Sequence, residues 1–231
     1  MSPRLPGLLF TAALLLAAAP ALAGSSVRYA LVVGNNRADP ALADLDPLRH
    51  AEGEARRLAD KLTERAGFDP ARVELVTGGG RAEVLAAAGR LAERLRADEK
   101  QLGPLTSLFA FFFTGHGQSG QLLTASGALG GAELSAIARQ MDATLTVGFF
   151  DSCYAGSFDF GALQAKGMTV TPGFNPVTEL PTELLDSEGA IWLVSSRAGE
   201  VSYEDQRYGG LFTHFFIEAF TEADDDGVGV P

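Results

Sequence analysis

Cys153 and His116 are the two residues of this sequence whose types and surroundings suit them best to covalent chemistry. Cys153 is the sole cysteine and lies in the run Phe150-Asp-Ser-Cys-Tyr-Ala-Gly156, whereas His116 lies between two glycines in Thr114-Gly-His-Gly117. A thiolate is a strong nucleophile, and an imidazole can take up a proton and later donate it. We therefore predict a cysteine nucleophile with His116 as its proton carrier.

The cysteine count excludes two common uses of this residue type. A single cysteine forms neither an intrachain disulfide nor a zinc site built from several cysteines. Taken alone, Cys153 fits equally the role of a small buried hydrophobe, and His116 that of a hydrogen-bonded turn residue. The backbone N–H groups of Gly117 and Cys153 are the expected donors to an oxyanion. Neither loop offers an obvious third residue to orient the histidine, so we predict a dyad.

Both motifs follow segments with the composition of buried strands, Leu105–Thr114 and Thr144–Phe150. Ligands bind at the carboxyl ends of the strands in an open α/β sheet, so this edge is the expected site. Further strands are predicted at Arg28–Gly34, Val73–Thr77 and Ala190–Ser195, and helices at Glu52–Arg65, Arg81–Asp98, Glu133–Met141 and Leu211–Thr221. The alternation predicts an α/β fold with a mostly parallel central sheet and helices on both faces.

The balance of charge is strongly acidic. Eighteen basic and 29 acidic residues give a formal net charge of −11. Binding to nucleic acid or to an anionic membrane requires clustered lysine and arginine, so these are excluded as main partners. A cationic partner or substrate fits the composition better.

Residues 1–23 have the composition of a secretory signal peptide. Arg4 is followed by 13 apolar residues from Gly7 to Ala19, and Ala21-Leu-Ala23 supplies the small residues of a cleavage site. Thirteen residues are fewer than the roughly 20 that span a bilayer. We expect an exported protein, periplasmic or extracellular, with no membrane segment after cleavage. Residues 24–221 are then one domain that contains a long loop at 158–188, and residues 222–231 form an acidic tail.

In its motifs the sequence resembles the caspase, metacaspase and orthocaspase superfamily of cysteine peptidases. Members carry a Ser-Gly-His-Gly or Ser-His-Gly loop and an Asp-x-Cys or Gln-Ala-Cys loop, which match the two runs above. The similarity extends from Tyr29-Ala-Leu-Val-Val-Gly-Asn35 to Gly210-Leu-Phe-Thr213. The resemblance implies the caspase-type fold, the catalytic dyad of His116 and Cys153, and an oxyanion hole that includes the amide of Gly117.

The resemblance also bears on P1, the substrate residue before the cleaved bond. Caspases bind aspartate in an arginine-lined pocket, whereas metacaspases and orthocaspases bind arginine or lysine in an acidic one. Asp151 matches an acidic pocket position of metacaspases, and Thr114 replaces their serine. Glu54 falls in the segment that holds another of their acids. Glu204, preceded by the substrate-binding candidate Tyr203, replaces the arginine with which caspases grip aspartate. Three carboxylates in one pocket favour a basic P1 residue.

Several alternatives stay open at this point. Glu54 and Glu204 fit a solvated face, and Asp151 fits a loop cap. An aspartate pocket has three candidate arginines: Arg49, Arg197 and Arg207. The whole domain fits a catalytically silent binding or scaffold module, or a hydrolase or transferase acting on a non-peptide amide.

The resemblance carries two further expectations. Caspase-like enzymes are often cut after the catalytic cysteine, and Lys166 is the single basic residue of the loop 158–188, so we expect self-cleavage there. No cofactor or metal is required for the dyad, although resemblance to metacaspases implies activation by Ca²⁺. His50 and His214 have no motif around them and are expected at a helix end and packed within a helix, respectively.

Overall fold

The computed structural model describes residues 26–157, 189–197 and 200–222. The predicted signal peptide, the loop 158–188 with Lys166, and the tail beyond residue 222 lie outside the described residues. Ten strands follow in chain order: β1 (Ser26–Asn35), β2 (Val73–Thr77), β3 (Thr106–Gly115), β4 (Gly117–Gln118), β5 (Gln121–Leu123), β6 (Ala128–Gly130), β7 (Leu145–Asp151), β8 (Gly189–Val194), β9 (Glu204–Asp205) and β10 (Gly209–Gly210).

Five of these strands form the central sheet, in the order β2-β1-β3-β7-β8, and every neighbouring pair is parallel. The helices are α1 (Ala51–Glu64), α2 (Arg81–Leu102), α3 (Gly131–Met141) and α4 (Leu211–Glu222). The predicted succession of strands and helices is confirmed. Helix α2 runs four residues further than predicted, because its last turn is polar or exposed and lacks an apolar period. Within the described ranges, none of the helices is long and apolar enough to cross a membrane.

Helices cover both faces of the sheet, as the alternation predicted. Helices α2 and α3 pack on one face, against Phe109, Phe111 and Phe150. Helix α1 packs on the other face, against Ala110 and Phe112, and α4 contributes partly buried residues there. Successive residues of β3 thus point to opposite faces, and those from Phe109 to Gly115 are all buried, which explains the apolar run of this strand.

The short strands were not predicted. Strands β4, β5 and β6 form a small antiparallel sheet directly after His116, and β9 pairs with β10 in an antiparallel hairpin before α4. Each is two or three residues long, which is too short for a period of two to be visible in the sequence. Both additions lie at the carboxyl edge of the central sheet.

Gly34 sets how closely α1 approaches β1. A Cβ atom at this position would lie 2.5 Å from the Cβ of Ala55 and 2.6 Å from the carbonyl oxygen of Ala51, both in α1. Neither neighbour is the end of a flexible side chain that could move aside. The missing side chain therefore lets the first turns of α1, with Glu54, lie directly on the sheet.

We predict that Gly34→Ala lowers the free energy of unfolding by roughly 1–3 kcal/mol, because it overpacks this contact. The matched control is Gly89→Ala in the middle of α2, where a Cβ would meet only the Nε2 of Gln140 at 3.6 Å. Alanine there should stabilise the protein by about 0.5–1 kcal/mol, because glycine loses more conformational freedom on folding. Urea unfolding followed by circular dichroism measures both. Similar effects for the two variants would contradict this account.

Candidate active site

The register of two central strands brings the predicted dyad to neighbouring positions. Strands β3 and β7 are parallel, and Thr114 is paired with Asp151 across their ladder. His116 and Cys153 each follow these paired residues by two positions. His116 and Cys153 both line a cleft at this edge of the sheet.

The same cleft is lined by every side chain predicted to bind substrate: Glu54, Thr114, Asp151, Tyr203 and Glu204. Its remaining lining residues are Leu48, Ala51, Gly115, Ser202 and Gly210. None of these described lining residues is a lysine or an arginine. The three arginines considered for an aspartate pocket, Arg49, Arg197 and Arg207, do not line the cleft.

Cys153 lies on a tight turn directly after β7. The residue is half-buried, and its Sγ lies 3.7 Å from the carbonyl oxygen of Ser202, to which the thiol donates. The next residue, Tyr154, has a φ of 58°, a left-handed conformation that is uncommon outside glycine. Its N–H donates to the carbonyl oxygen of Glu200 at 2.8 Å. The segment after β8 therefore holds the turn that presents the thiol.

His116 is held in a desolvated position. Burial lowers the pKa of its imidazole, while the backbone carbonyl of Asp46 and the negative charge of Glu204 act in the opposite direction. The Nε2 atom is buried and has no hydrogen-bond partner among the described residues. A lowered pKa favours the neutral ring, which is able to accept a proton. The Asp46 carbonyl, a group that no side-chain motif marks, is thus the candidate for the orienting partner that the sequence left open.

Gly117 contacts, through its bare Cα, the turn of residues 152–156, called the nucleophile turn below after the predicted role of Cys153. A Cβ there would lie 2.3 Å from the carbonyl oxygen of Cys153 and 2.7 Å from the Oγ of Ser152. Gly117 is opposite Leu122 in the β4–β5 ladder, and the adjacent bond runs from the N–H of Leu123 to the carbonyl of His116. In an antiparallel ladder this pattern directs the N–H of Gly117 away from β5. The N–H of Gly117 therefore forms no hydrogen bond to β5.

Glu54 and Asp151 are buried, with 1% and 6% of their surface exposed. Glu54 accepts hydrogen bonds from the N–H of Gly210 at 2.6 Å and from the hydroxyl of Thr114 at 3.1 Å. Gly210 separates the two acids, since a Cβ there would lie 2.7 Å from Asp151 Oδ2 and 3.1 Å from Glu54 Oε2. Neither carboxylate forms an ion pair with a described residue. A solvated position for Glu54, considered above, is wrong.

The pKa of Glu54 reflects its burial without a paired cation. Burial raises it above the ordinary carboxyl value, and the charge of Asp151 adds to the effect, whereas the bonds from Gly210 and Thr114 and, to a smaller extent, the charge of Arg57 lower it. A buried carboxyl with a raised pKa is one whose negative charge lacks sufficient compensation. A positive charge placed beside Glu54 would supply this compensation.

Glu204 differs from the other two carboxylates. It is exposed at the rim of the cleft, and its oxygens accept the N–H of Arg49 at 3.2 and 3.3 Å and the N–H of His50 at 2.9 Å. These amides precede α1, where the helix dipole favours a negative charge. The three predicted carboxylates do line one cleft, but Glu204 also fastens the β9–β10 hairpin to α1.

Two residues that hold Asp151 were not predicted as part of the site. Thr213 in α4 donates its N–H at 3.1 Å and its hydroxyl at 2.8 Å to Asp151 Oδ2, and Ser202 donates its hydroxyl to Oδ1 at 2.6 Å. Thr213 belongs to the run Gly210-Leu-Phe-Thr213, which was matched to the family without a role. That match was the signal that could have located it.

The two other histidines lie where they were predicted. His50 immediately precedes α1. His214 lies in α4, where its ring packs at a tilt against Tyr208 and its Nε2 lies 3.2 Å from Glu218 Oε1. Neither lines the cleft. No group of three or more histidine, cysteine, aspartate or glutamate side chains in the described ranges could hold a metal ion.

Comparison with known proteins agrees with the fold. A family model described as Peptidase_C14, caspase domain, matches residues 27–228. Among solved structures, caspase-1 from Spodoptera frugiperda aligns with a TM-score of 0.55 and 16% identity, over 86% of this chain and 70% of that chain. The Geobacter sulfurreducens protein GSU0716 aligns with a TM-score of 0.56 and 21% identity, over 85% of this chain and 83% of that one. At these identities, the structural likeness shows the fold. No curated protein sequence matches the chain.

The raised pKa of Glu54 predicts a pH-dependent cost to folding. The folded chain binds this proton more tightly than the unfolded chain, so the contribution of Glu54 becomes unfavourable as pH rises from the ordinary carboxyl range through the raised value. We expect Glu54→Gln to be more stable than the wild type at pH 7, with the advantage shrinking as the pH is lowered. Urea unfolding of both proteins across this range measures the difference.

The matched control for this experiment is Glu52→Gln in the same helix. Glu52 has a side chain that is 28% exposed and faces Arg56 at 3.8 Å. Its replacement should not stabilise the protein at any pH. A difference between Glu54→Gln and the wild type that does not vary with pH would contradict the account of Glu54.

Proposed function

Because this chain belongs to the caspase domain family of peptidases, we propose that it is a cysteine endopeptidase that cleaves after arginine or lysine. One observation carries the proposal. Cys153 and His116 line a single cleft together with Glu54 and Asp151, two buried carboxylates without a cationic partner among the described residues.

The proposed reaction begins when the neutral His116 takes the thiol proton of Cys153. The thiolate sulfur bonds to the carbonyl carbon of the scissile peptide, and the oxyanion accepts hydrogen bonds from the amides of Gly117 and Cys153. Collapse breaks the C–N bond, and the imidazolium gives its proton to the leaving amine. Water, deprotonated by His116, then attacks the thioester, which releases the acid and restores the thiol. The desolvated, neutral imidazole supports the first of these steps.

The proposed P1 pocket is the space beside Glu54 and Asp151. A guanidinium or ammonium group placed there neutralises two desolvated negative charges, which a neutral or acidic side chain cannot do. Entry of the cation should lower the pKa of Glu54 toward the ordinary value and so remove part of the cost described above. Asp151 is already held in place by Thr213, so little ordering is required on binding.

Further parts of the proposal rest on the sequence and on family resemblance. We propose export with removal of residues 1–23, self-cleavage after Lys166, and activation by Ca²⁺. The substrates are peptides or proteins with an exposed basic residue.

Peptide cleavage tests the specificity. We expect the protein without residues 1–23 to hydrolyse fluorogenic peptides with Arg or Lys at P1 and not those with Asp, and Cys153→Ala to abolish the activity. Asp151→Asn should lower kcat/KM for the arginine peptide by roughly 10²-fold, the order expected when one partner of a buried ion pair is removed. Assays with Ca²⁺ and with a chelator test activation.

The matched control is Asp205→Asn. Asp205 is an exposed acid in the same hairpin as Glu204, accepts the N–H of Arg207, and does not line the cleft. The kcat/KM of Asp205→Asn should stay within about threefold of the wild type, since an exposed charge contributes little to binding energy. Cleavage after aspartate alone would overturn the basic pocket. Absence of any Cys153-dependent cleavage would favour the binding-module hypothesis.

Amino-terminal sequencing of the purified exported protein tests both processing events. We expect a first amino terminus at Gly24 and, in active protein, a second at Gly167. Cys153→Ala should retain the first and lack the second, because only self-cleavage needs the thiol. An intact chain in active wild-type protein, unchanged by Lys166→Gln, would contradict self-cleavage at this residue.

A further inference from the structure

Ser196 holds the nucleophile turn on both sides of Cys153. It follows β8 and is buried, with 6% of its surface exposed. Its hydroxyl donates to the carbonyl oxygen of Ser152 at 3.0 Å and accepts the N–H of Ala155 at 3.2 Å. Its own carbonyl accepts the N–H of Gly156 at 2.9 Å. One buried residue thus bonds the turn before and after the proposed nucleophile.

The bond to the Ser152 carbonyl bears directly on the amide of Cys153, because both belong to the same peptide group. None of the described peptide bonds is cis. In a planar trans peptide the C=O and the N–H point in opposite directions. A hydroxyl that fixes the direction of the Ser152 carbonyl therefore also fixes the direction of the Cys153 N–H. Donation to the carbonyl further polarises the peptide group and strengthens that N–H as a donor.

The opposite side of the turn packs against Gly117, whose bare Cα lies beside the Ser152 hydroxyl and the Cys153 carbonyl. The turn is thus held between Ser196 and Gly117. Tyr154, in its left-handed conformation, is kept in place by these bonds and by the carbonyl of Glu200. The spacing between the amides of Gly117 and Cys153 consequently depends on Ser196.

We infer that Ser196 is a positioning residue, which aims the Cys153 N–H into the oxyanion hole through the shared Ser152–Cys153 peptide group. The inference rests on the proposed peptidase function and adds a residue to it. Ser195 provides the internal comparison. Its hydroxyl reaches the same carbonyl at a longer distance, 3.4 Å, and donates to no other atom of the turn. Its replacement should disturb the peptide group much less.

The test compares Ser196→Ala, Ser196→Thr and Ser195→Ala with the wild type in three measurements. These are cleavage of an arginine peptide, inhibition by a peptide aldehyde ending in arginine, and alkylation of Cys153 by iodoacetamide. The aldehyde forms a tetrahedral adduct whose oxygen requires the oxyanion donors, whereas alkylation does not. Removing a whole oxyanion donor costs about 10²–10³ in kcat, so misdirecting one should cost roughly 10–100-fold.

We expect Ser196→Ala to lower kcat and aldehyde affinity by the same factor, with KM and the alkylation rate within about twofold of the wild type. Ser196→Thr retains the hydroxyl and should restore both kcat and aldehyde affinity. In Ser195→Ala, both quantities should stay within about threefold of the wild type. If Ser196→Ala does not fold by circular dichroism, Ser196→Cys takes its place, because a thiol of similar size donates only weakly. Alkylation is then read at Cys153 by peptide mapping, since this variant holds a second thiol.

Two results would overturn the role of Ser196 without affecting the proposed function. One is a loss of kcat in Ser196→Ala that is no larger than the loss in Ser195→Ala. The other is an alkylation rate that falls as much as kcat does, which would indicate a general disruption of the site. A wild-type protein without any Cys153-dependent cleavage would instead overturn the proposed function, and with it the role of Ser196 in catalysis.

Discussion

The parallel pairing of β3 with β7 is the constraint on which the site depends. It sets Thr114 opposite Asp151, so that the residues two positions further along, His116 and Cys153, leave the sheet at neighbouring points. A slip of one residue would turn every side chain of one strand to the other face. The burial of β3 on both faces from Phe109 onward makes such a slip costly, and the core therefore maintains the alignment of the proposed dyad.

The same register explains why the pocket is acidic and buried. Thr114 and Asp151 are the last paired residues of their strands, and the first turn of α1 brings Glu54 against them because Gly34 allows a close approach. The carboxylates are held by neutral donors rather than by cations. The raised pKa of Glu54 makes its charge unfavourable to folding at neutral pH but leaves that charge available to a ligand. Stability and the proposed recognition of a basic side chain are therefore in opposition at Glu54.

Features that depend on local composition could be predicted from the sequence. The aromatic run of β3, the helical periods and the glycines around His116 each mark their structure without reference to the rest of the chain. Contacts between distant backbone groups carry no such mark. The carbonyl of Asp46 beside His116 and the amides that bind Glu204 are peptide groups, which every residue has. Strands of two residues, such as β9, are too short to show a period.

The nucleophile turn depends on a segment that is distant along the chain. Strand β8 pairs with β7 through six residues, and the residues that follow bind the turn: Ser196 on either side of Cys153, Glu200 at the N–H of Tyr154, and Ser202 at the thiol. These bonds are non-covalent and join two segments that each follow one of a pair of adjacent strands, so the β7–β8 pairing sets their geometry. The self-cleavage proposed after Lys166 would break none of them, and it would leave both paired strands attached to the segments that form the turn.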